Sequence, residues 1–143
     1  MFKTIDPDIL VSPQIDPADV AEARDRGIEL IINNRPEGES DDQTPGEAIE
    51  AAAQASGIAY VSIPVTHAGF SQWQVDAMVA ALESAKGPVL AYCRSGTRST
   101  LLWALARARM GDDPDQLASK AGAAGYDVGP VRPVLDMIAA NRS

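Results

Sequence analysis

Val89-Leu90-Ala91-Tyr92-Cys93-Arg94-Ser95-Gly96-Thr97-Arg98-Ser99 runs from four apolar residues through a thiol into a short polar loop. An apolar segment from Ser99 to Met110 follows and is closed by Gly111. This pattern predicts a buried strand, a turn and a helix. A strand that feeds directly into a helix is the repeating unit of a parallel sheet, so the neighbouring segments decide whether the unit recurs.

It recurs upstream. Gly87-Pro88 stops a helix whose start is marked by the capping box Ser71-Gln72-Trp73-Gln74, with Val75, Met78, Val79 and Leu82 at helical spacing. Ile58 to Val65 contains the preceding strand. Before it, Thr44-Pro45-Gly46-Glu47 reads as a second capping box with proline at the first helical position, opening a helix that runs to Ser56-Gly57. Ile28 to Asn33 is another short apolar run, preceded by a helix that Asp16-Pro17 opens and Gly27 ends. Glu37 to Gln43, acidic and containing glycine, is expected to be a long mobile loop. Downstream, short helices are expected near Pro114 to Lys120 and from Val131 to Asn141, with Ala121-Gly122-Ala123-Ala124-Gly125 as a turn. The alternation predicts an α/β fold in a single domain over residues 1–143. Its small, mainly parallel sheet of about four strands carries helices on both faces, joined by right-handed crossovers. Trp73 and Trp103 fall at helical spacing and are expected in the core.

Composition narrows the function. The chain has 143 residues, room for one packed core, and no apolar run approaches a membrane span. A net charge of −8 argues against nucleic acid or an anionic membrane as partner, so any anion site must be built locally. One cysteine excludes an internal disulfide framework and a multi-cysteine zinc site, and the cytoplasm is the default compartment. His67 is the single histidine, so no metal site is expected, and no organic cofactor is called for.

The chemistry concentrates at the strand–loop–helix junction. There, loop amides and a helix N-terminus supply positive potential that favours a thiolate and a bound anion. Gly96 lets consecutive amides face one point, and Arg98 adds a formal charge. Cys93 is therefore expected to be an accessible nucleophile with Arg98 beside it. Arg94, Ser95, Gly96, Thr97 and Ser99 are expected to bind substrate, although helix capping is the plain alternative for Ser99 and a surface charge for Arg94. His67, Asn34 and Arg35 form a second tier at the carboxyl ends of other strands. His67 can equally be an ordinary loop residue, and Asn34 and Arg35 a turn or an ion pair with Glu37 or Glu39.

Cys93-Arg94-Ser95-Gly96-Thr97-Arg98-Ser99 resembles the active-site loop of rhodanese-type sulfurtransferases, in which four residues separate Cys from Arg. Leu10-Val11-Ser12-Pro13-Gln14, Gly27 through Glu39 and Ile63-Pro64 resemble instead the phosphatase-like domain of the beta-lactamase-hydrolase-like proteins, over roughly Met1 to Met110. That family implies a dual-specificity-phosphatase-like fold and has been linked to both phosphatase and sulfurtransferase chemistry. Phosphatases of this fold normally place five residues between Cys and Arg, carry His before the Cys and have an Asp as general acid. Here the spacing is four, Tyr92 precedes Cys93, and Val65-Thr66-His67-Ala68-Gly69-Phe70-Ser71 offers only His67.

These departures favour a sulfurtransferase that carries sulfane sulfur as a Cys93 persulfide, taken from a thiosulfate-like donor and passed to a thiol or other thiophilic acceptor. The alternative is a phosphatase acting on a phosphoester through phosphocysteine. A catalytically silent anion-binding or interaction module is the third reading.

Overall fold

Side chains that alternate along three adjacent strands sort the apolar residues onto two opposite faces, and that division sets the architecture. A computed structural model describes residues 1–141. The elements, in chain order, are β1 (Lys3–Asp6), β2 (Ile9–Ser12), α1 (Pro17–Asp25), β3 (Leu30–Asn33), α2 (Gly46–Ala55), β4 (Ala59–Ser62), α3 (Gln72–Ser84), β5 (Val89–Tyr92), α4 (Thr97–Arg109), α5 (Pro114–Ala123), a 3-10 turn at Gly129–Val131, and α6 (Arg132–Asn141). The sheet order is β1-β2-β5-β3-β4. Only β1 is antiparallel; β2, β5, β3 and β4 run parallel.

Ile9, Val11, Leu30, Ile32, Val89 and Ala91 point to one face, where they pack with Met78 of α3, Leu102 and Leu105 of α4, Leu117 of α5 and Leu135 of α6. Leu10, Ile31, Leu90 and Tyr92 point to the other, against Val20 of α1 and Ile49 and Ala53 of α2. Right-handed crossovers explain which helix goes where. From β2 to β3 and from β3 to β4 the chain moves in one direction across the sheet, placing α1 and α2 together. From β4 to β5 it moves back, placing α3 opposite. Among the described residues no helix is long and apolar enough to cross a membrane.

The expected α/β architecture is present, with five strands rather than about four. The additional pieces come from the N-terminal hairpin. Four residues per strand around Asp6-Pro7-Asp8 are too few to show a period, yet all of β2 is buried, paired on both edges by β1 and β5 and packed on both faces. The capping box at Ser71 is formed, with the Ser71 N–H donating to Gln74 Oε1 at 2.7 Å. The one at Thr44 is not: α2 starts at Gly46, whose N–H donates to Glu37 Oε1 at 2.6 Å, and the Thr44 hydroxyl turns to Asp16 Oδ1 at 2.8 Å.

Trp103 is in the core as expected, at 1% exposure, but Trp73 is 55% exposed on the first turn of α3. Helical spacing places a residue on a face without saying whether a neighbour covers it. Replacing Trp73 by serine should therefore shift stability by no more than about 0.5 kcal/mol in urea denaturation. A loss above about 2 kcal/mol would show that the ring is packed.

Candidate active site

β5 is the central strand, so the chain leaving its carboxyl end enters the crevice between β2 and β3, where α/β sheets bind ligands. Cys93 stands there. Its backbone N–H donates to Ser12 O at 3.3 Å, and Gln14 N–H donates to Arg94 O at 3.3 Å, which ties the start of the loop to the end of β2. Gly96 then adopts φ +92° and ψ −10° at the N-cap of α4, a left-handed conformation that glycine takes without strain. This turn brings the Gly96 N–H back onto the sulfur, with N to Sγ at 3.1 Å. The Thr100 hydroxyl donates to Gly96 O at 2.8 Å and holds the turn against the helix.

The thiol has the Gly96 N–H aimed at it, but it is not accessible: Cys93 is 0% exposed. The expectation of an open nucleophile is corrected here, and the segment from Glu37 to Gln43, expected to be mobile, is instead bonded to Arg98. Glu39, within Glu37 to Gln43, accepts from Arg98 Nη1 at 2.7 Å on Oε2 and from Arg98 Nη2 at 2.8 Å on Oε1. It also accepts from Arg35 Nε at 2.9 Å on Oε1. Glu39 N–H donates to Gln43 Oε1 and Gln43 Nε2 to Pro36 O, both at 2.9 Å, so the segment is stitched internally as well. With the Arg98 guanidinium as the main cause and Arg35 assisting, and despite opposing burial, the Glu39 carboxyl is lowered to about 2. Glu39 in turn raises Arg98, and the neighbouring Cys93 sulfur adds to that effect.

Arg98 lies near enough to Cys93 for the sulfur's charge to help raise its pKa, and its Nη1 also donates to Val65 O at 2.7 Å. Arg94 and Ser95 on the loop and Thr97 at the start of α4 lie exposed, and the Ser95 hydroxyl donates to Thr97 Oγ1 at 3.0 Å. Ser99 does not cap the helix, because Gly96 holds that position; its hydroxyl is buried without a hydrogen-bond partner among the described residues.

The second tier divides. Asn34 is a stitch between strand ends, its Nδ2 donating to Ile63 O at 2.9 Å. Arg35 is 4% exposed, with Nη1 donating to Gln14 Oε1 and Nη2 to Ser40 Oγ, each at 3.0 Å. These two residues brace the site from behind, and the anticipated ion pair with Glu39 is formed. His67 is exposed at the rim, Nε2 at 4.0 Å from Glu39 Oε2. Tyr92 points into the opposite face of the sheet, away from the thiol. Among the described residues no group of three or more His, Cys, Asp or Glu could hold a metal ion.

Two residues at the site were not singled out from the sequence. Glu39 appeared only as a possible ion-pair partner, 59 positions from Arg98, with nothing local to tie them. Tyr126, 31 positions from Ser95, donates its hydroxyl to Ser95 O at 3.1 Å, and no motif marked it.

A model of the phosphatase-like domain of beta-lactamase hydrolase-like protein matches residues 1–110, and the chain belongs to that family. It is 36% identical over 105 residues to a beta-lactamase hydrolase-like protein of Xylella fastidiosa (strain Temecula1), a match covering 73% of this chain and 24% of that protein. The chain thus corresponds to about a quarter of that relative's length. A crystal structure of a candidate phosphatase from Neisseria meningitidis Z2491 superposes with a TM-score of 0.83 at 34% identity, covering 95% of this chain and 96% of that one. Another, from Shewanella putrefaciens CN-32, gives a TM-score of 0.77 at 23% identity over 98% and 91% of the chains, and so speaks for the fold alone. The fold is dual-specificity-phosphatase-like, as the resemblance implied. The preference for sulfur transfer finds no support in these comparisons; they favour the phosphatase alternative.

Proposed function

We propose that this chain is a cysteine-dependent phosphatase that cleaves small phosphoesters through a phosphocysteine at Cys93. The observation that carries this reading is the Gly96 N–H directed at the Cys93 sulfur at the N-cap of the helix that carries Arg98, within a chain of a phosphatase-like family. The amide favours the thiolate, and Arg98 faces the phosphoryl oxygens as charge redistributes in the transition state. The sulfur attacks phosphorus, forming S–P while the ester P–O bond breaks and its electron pair leaves with the alcohol oxygen. Water then attacks phosphorus, S–P breaks, and phosphate leaves with the thiolate restored. Gly96 and the loop amides, with Ser95, Thr97 and the unpaired Ser99 hydroxyl, supply donors to the phosphoryl group. Arg94, exposed on an acidic protein, draws the anion locally. An aryl ester suits this site because its phenolate departs without a protein acid.

Access requires movement of Glu39, which occupies both terminal nitrogens of Arg98. One feature keeps sulfur transfer in the test: the four-residue spacing between Cys93 and Arg98. The protein is assayed side by side with an aryl phosphate and with thiosulfate plus cyanide, and Cys93 is weighed by mass spectrometry after brief exposure to each. Phosphate release with a phosphoryl adduct on Cys93 is the expected result. Thiocyanate with a one-sulfur adduct would overturn it in favour of the sulfurtransferase. No turnover in either assay, with inorganic phosphate protecting Cys93 from alkylation, would leave an anion-binding module.

A further inference from the structure

The Ser95–Gly96 peptide is held at both ends. Its N–H points at Cys93 Sγ at 3.1 Å, and its carbonyl oxygen accepts the Tyr126 hydroxyl at 3.1 Å. In a trans peptide the C=O and N–H point in opposite directions, so fixing the oxygen on one side of the loop fixes the hydrogen on the other. Glycine at position 96 leaves this peptide free to rotate unless something holds it. Tyr126 is pressed against that glycine: a Cβ added at Gly96 would lie 2.2 Å from the Tyr126 oxygen. The phenol is half-buried, and burial, reinforced by the Cys93 charge, raises its pKa, so it remains a donor at neutral pH. The Lys3 ammonium lies 5.1 Å from the centre of the ring.

We propose that Tyr126 is a positioning residue for the Cys93 nucleophile: its hydroxyl anchors the Ser95 carbonyl and thereby keeps the Gly96 N–H directed at the sulfur. The proposal rests on the reading of Cys93 as the nucleophile and deepens it. It assigns a role in the site to a residue outside the 1–110 span of the family model, on the loop between α5 and the 3-10 turn.

The test uses alkylation of Cys93 by iodoacetamide in the full chain, measured from pH 5.5 to 10. Each protein's rate at pH 6.5 is divided by its own high-pH plateau, which removes differences in access. Tyr126→Phe deletes only the oxygen. It is expected to lower this ratio about tenfold, the effect of one hydrogen bond to a charged acceptor. Lys3→Gln, which keeps the hydroxyl, should leave the ratio within twofold of the parent. An unchanged or higher ratio in Tyr126→Phe would overturn the proposal. So would an equal fall in Lys3→Gln, which would assign the effect to the cation, or a parent thiol that resists the reagent at every pH. Aryl phosphate turnover is measured separately. Its absence from the parent would defeat the phosphatase reading while leaving the alkylation result to judge Tyr126.

Discussion

Phosphate release by Cys93→Ser falls to background, a loss of about 10⁴-fold or more, while the folded structure persists. The size of the effect follows from ionisation. A serine hydroxyl stays protonated near neutrality, and neither one amide donor nor one guanidinium converts it into an alkoxide. The fold survives because the exchange is close to isosteric. The new oxygen inherits the Gly96 N–H at the place where the sulfur accepted it at 3.1 Å, so no donor is stranded. Thermal unfolding should move by a few degrees only, and the phosphoryl adduct should vanish from the mass spectrum. Substantial turnover by the folded serine variant would show that the phosphoryl group is not carried on residue 93, and the double-displacement scheme would fall with it.

Glu39→Gln is expected to cost about 3 kcal/mol of stability at pH 7. Glu39 is 13% exposed and serves two arginines, themselves 4% and 12% exposed. Neutralising it leaves two shielded cations facing an amide. The size agrees with linkage: lowering the carboxyl from 4.5 to about 2, at about 1.4 kcal/mol per pH unit, comes to roughly 3 kcal/mol. The sign follows from the direction. The group is more acidic in the folded protein than in the unfolded chain, so its contribution is complete above pH 4.5 and is lost as pH falls from there toward 2. Urea denaturation at pH 7, 4 and 3 should show parent and variant far apart at pH 7 and converging below pH 4.5. A gap that stays constant with pH would mean that Glu39 acts by packing and not by charge.

The chain is acidic overall, and the anion that reaches Arg98 at rest is its own. An incoming phosphoryl group has to exchange with a carboxylate held by three hydrogen bonds from two arginines.

The junction from Val89 to Ser99 was legible without coordinates because everything that shapes it is local: an apolar run, a glycine that can take positive φ, and a helix start within four residues of the thiol. The helices at Asp16-Pro17 and Ser71 were legible for the same reason, since a cap is a contact across three residues. By itself the sequence determined an alternating α/β chain with one thiol at the end of a strand and an arginine one helical step beyond. Only the tertiary structure decided that Glu39 lies on that arginine, that Tyr126 holds the peptide beneath the sulfur, and that Trp73 faces solvent while β2 is fully enclosed. Those outcomes depend on which segments meet after the crossovers are made. A side chain's partner 59 positions away leaves no periodic or capping signal in the residues around it.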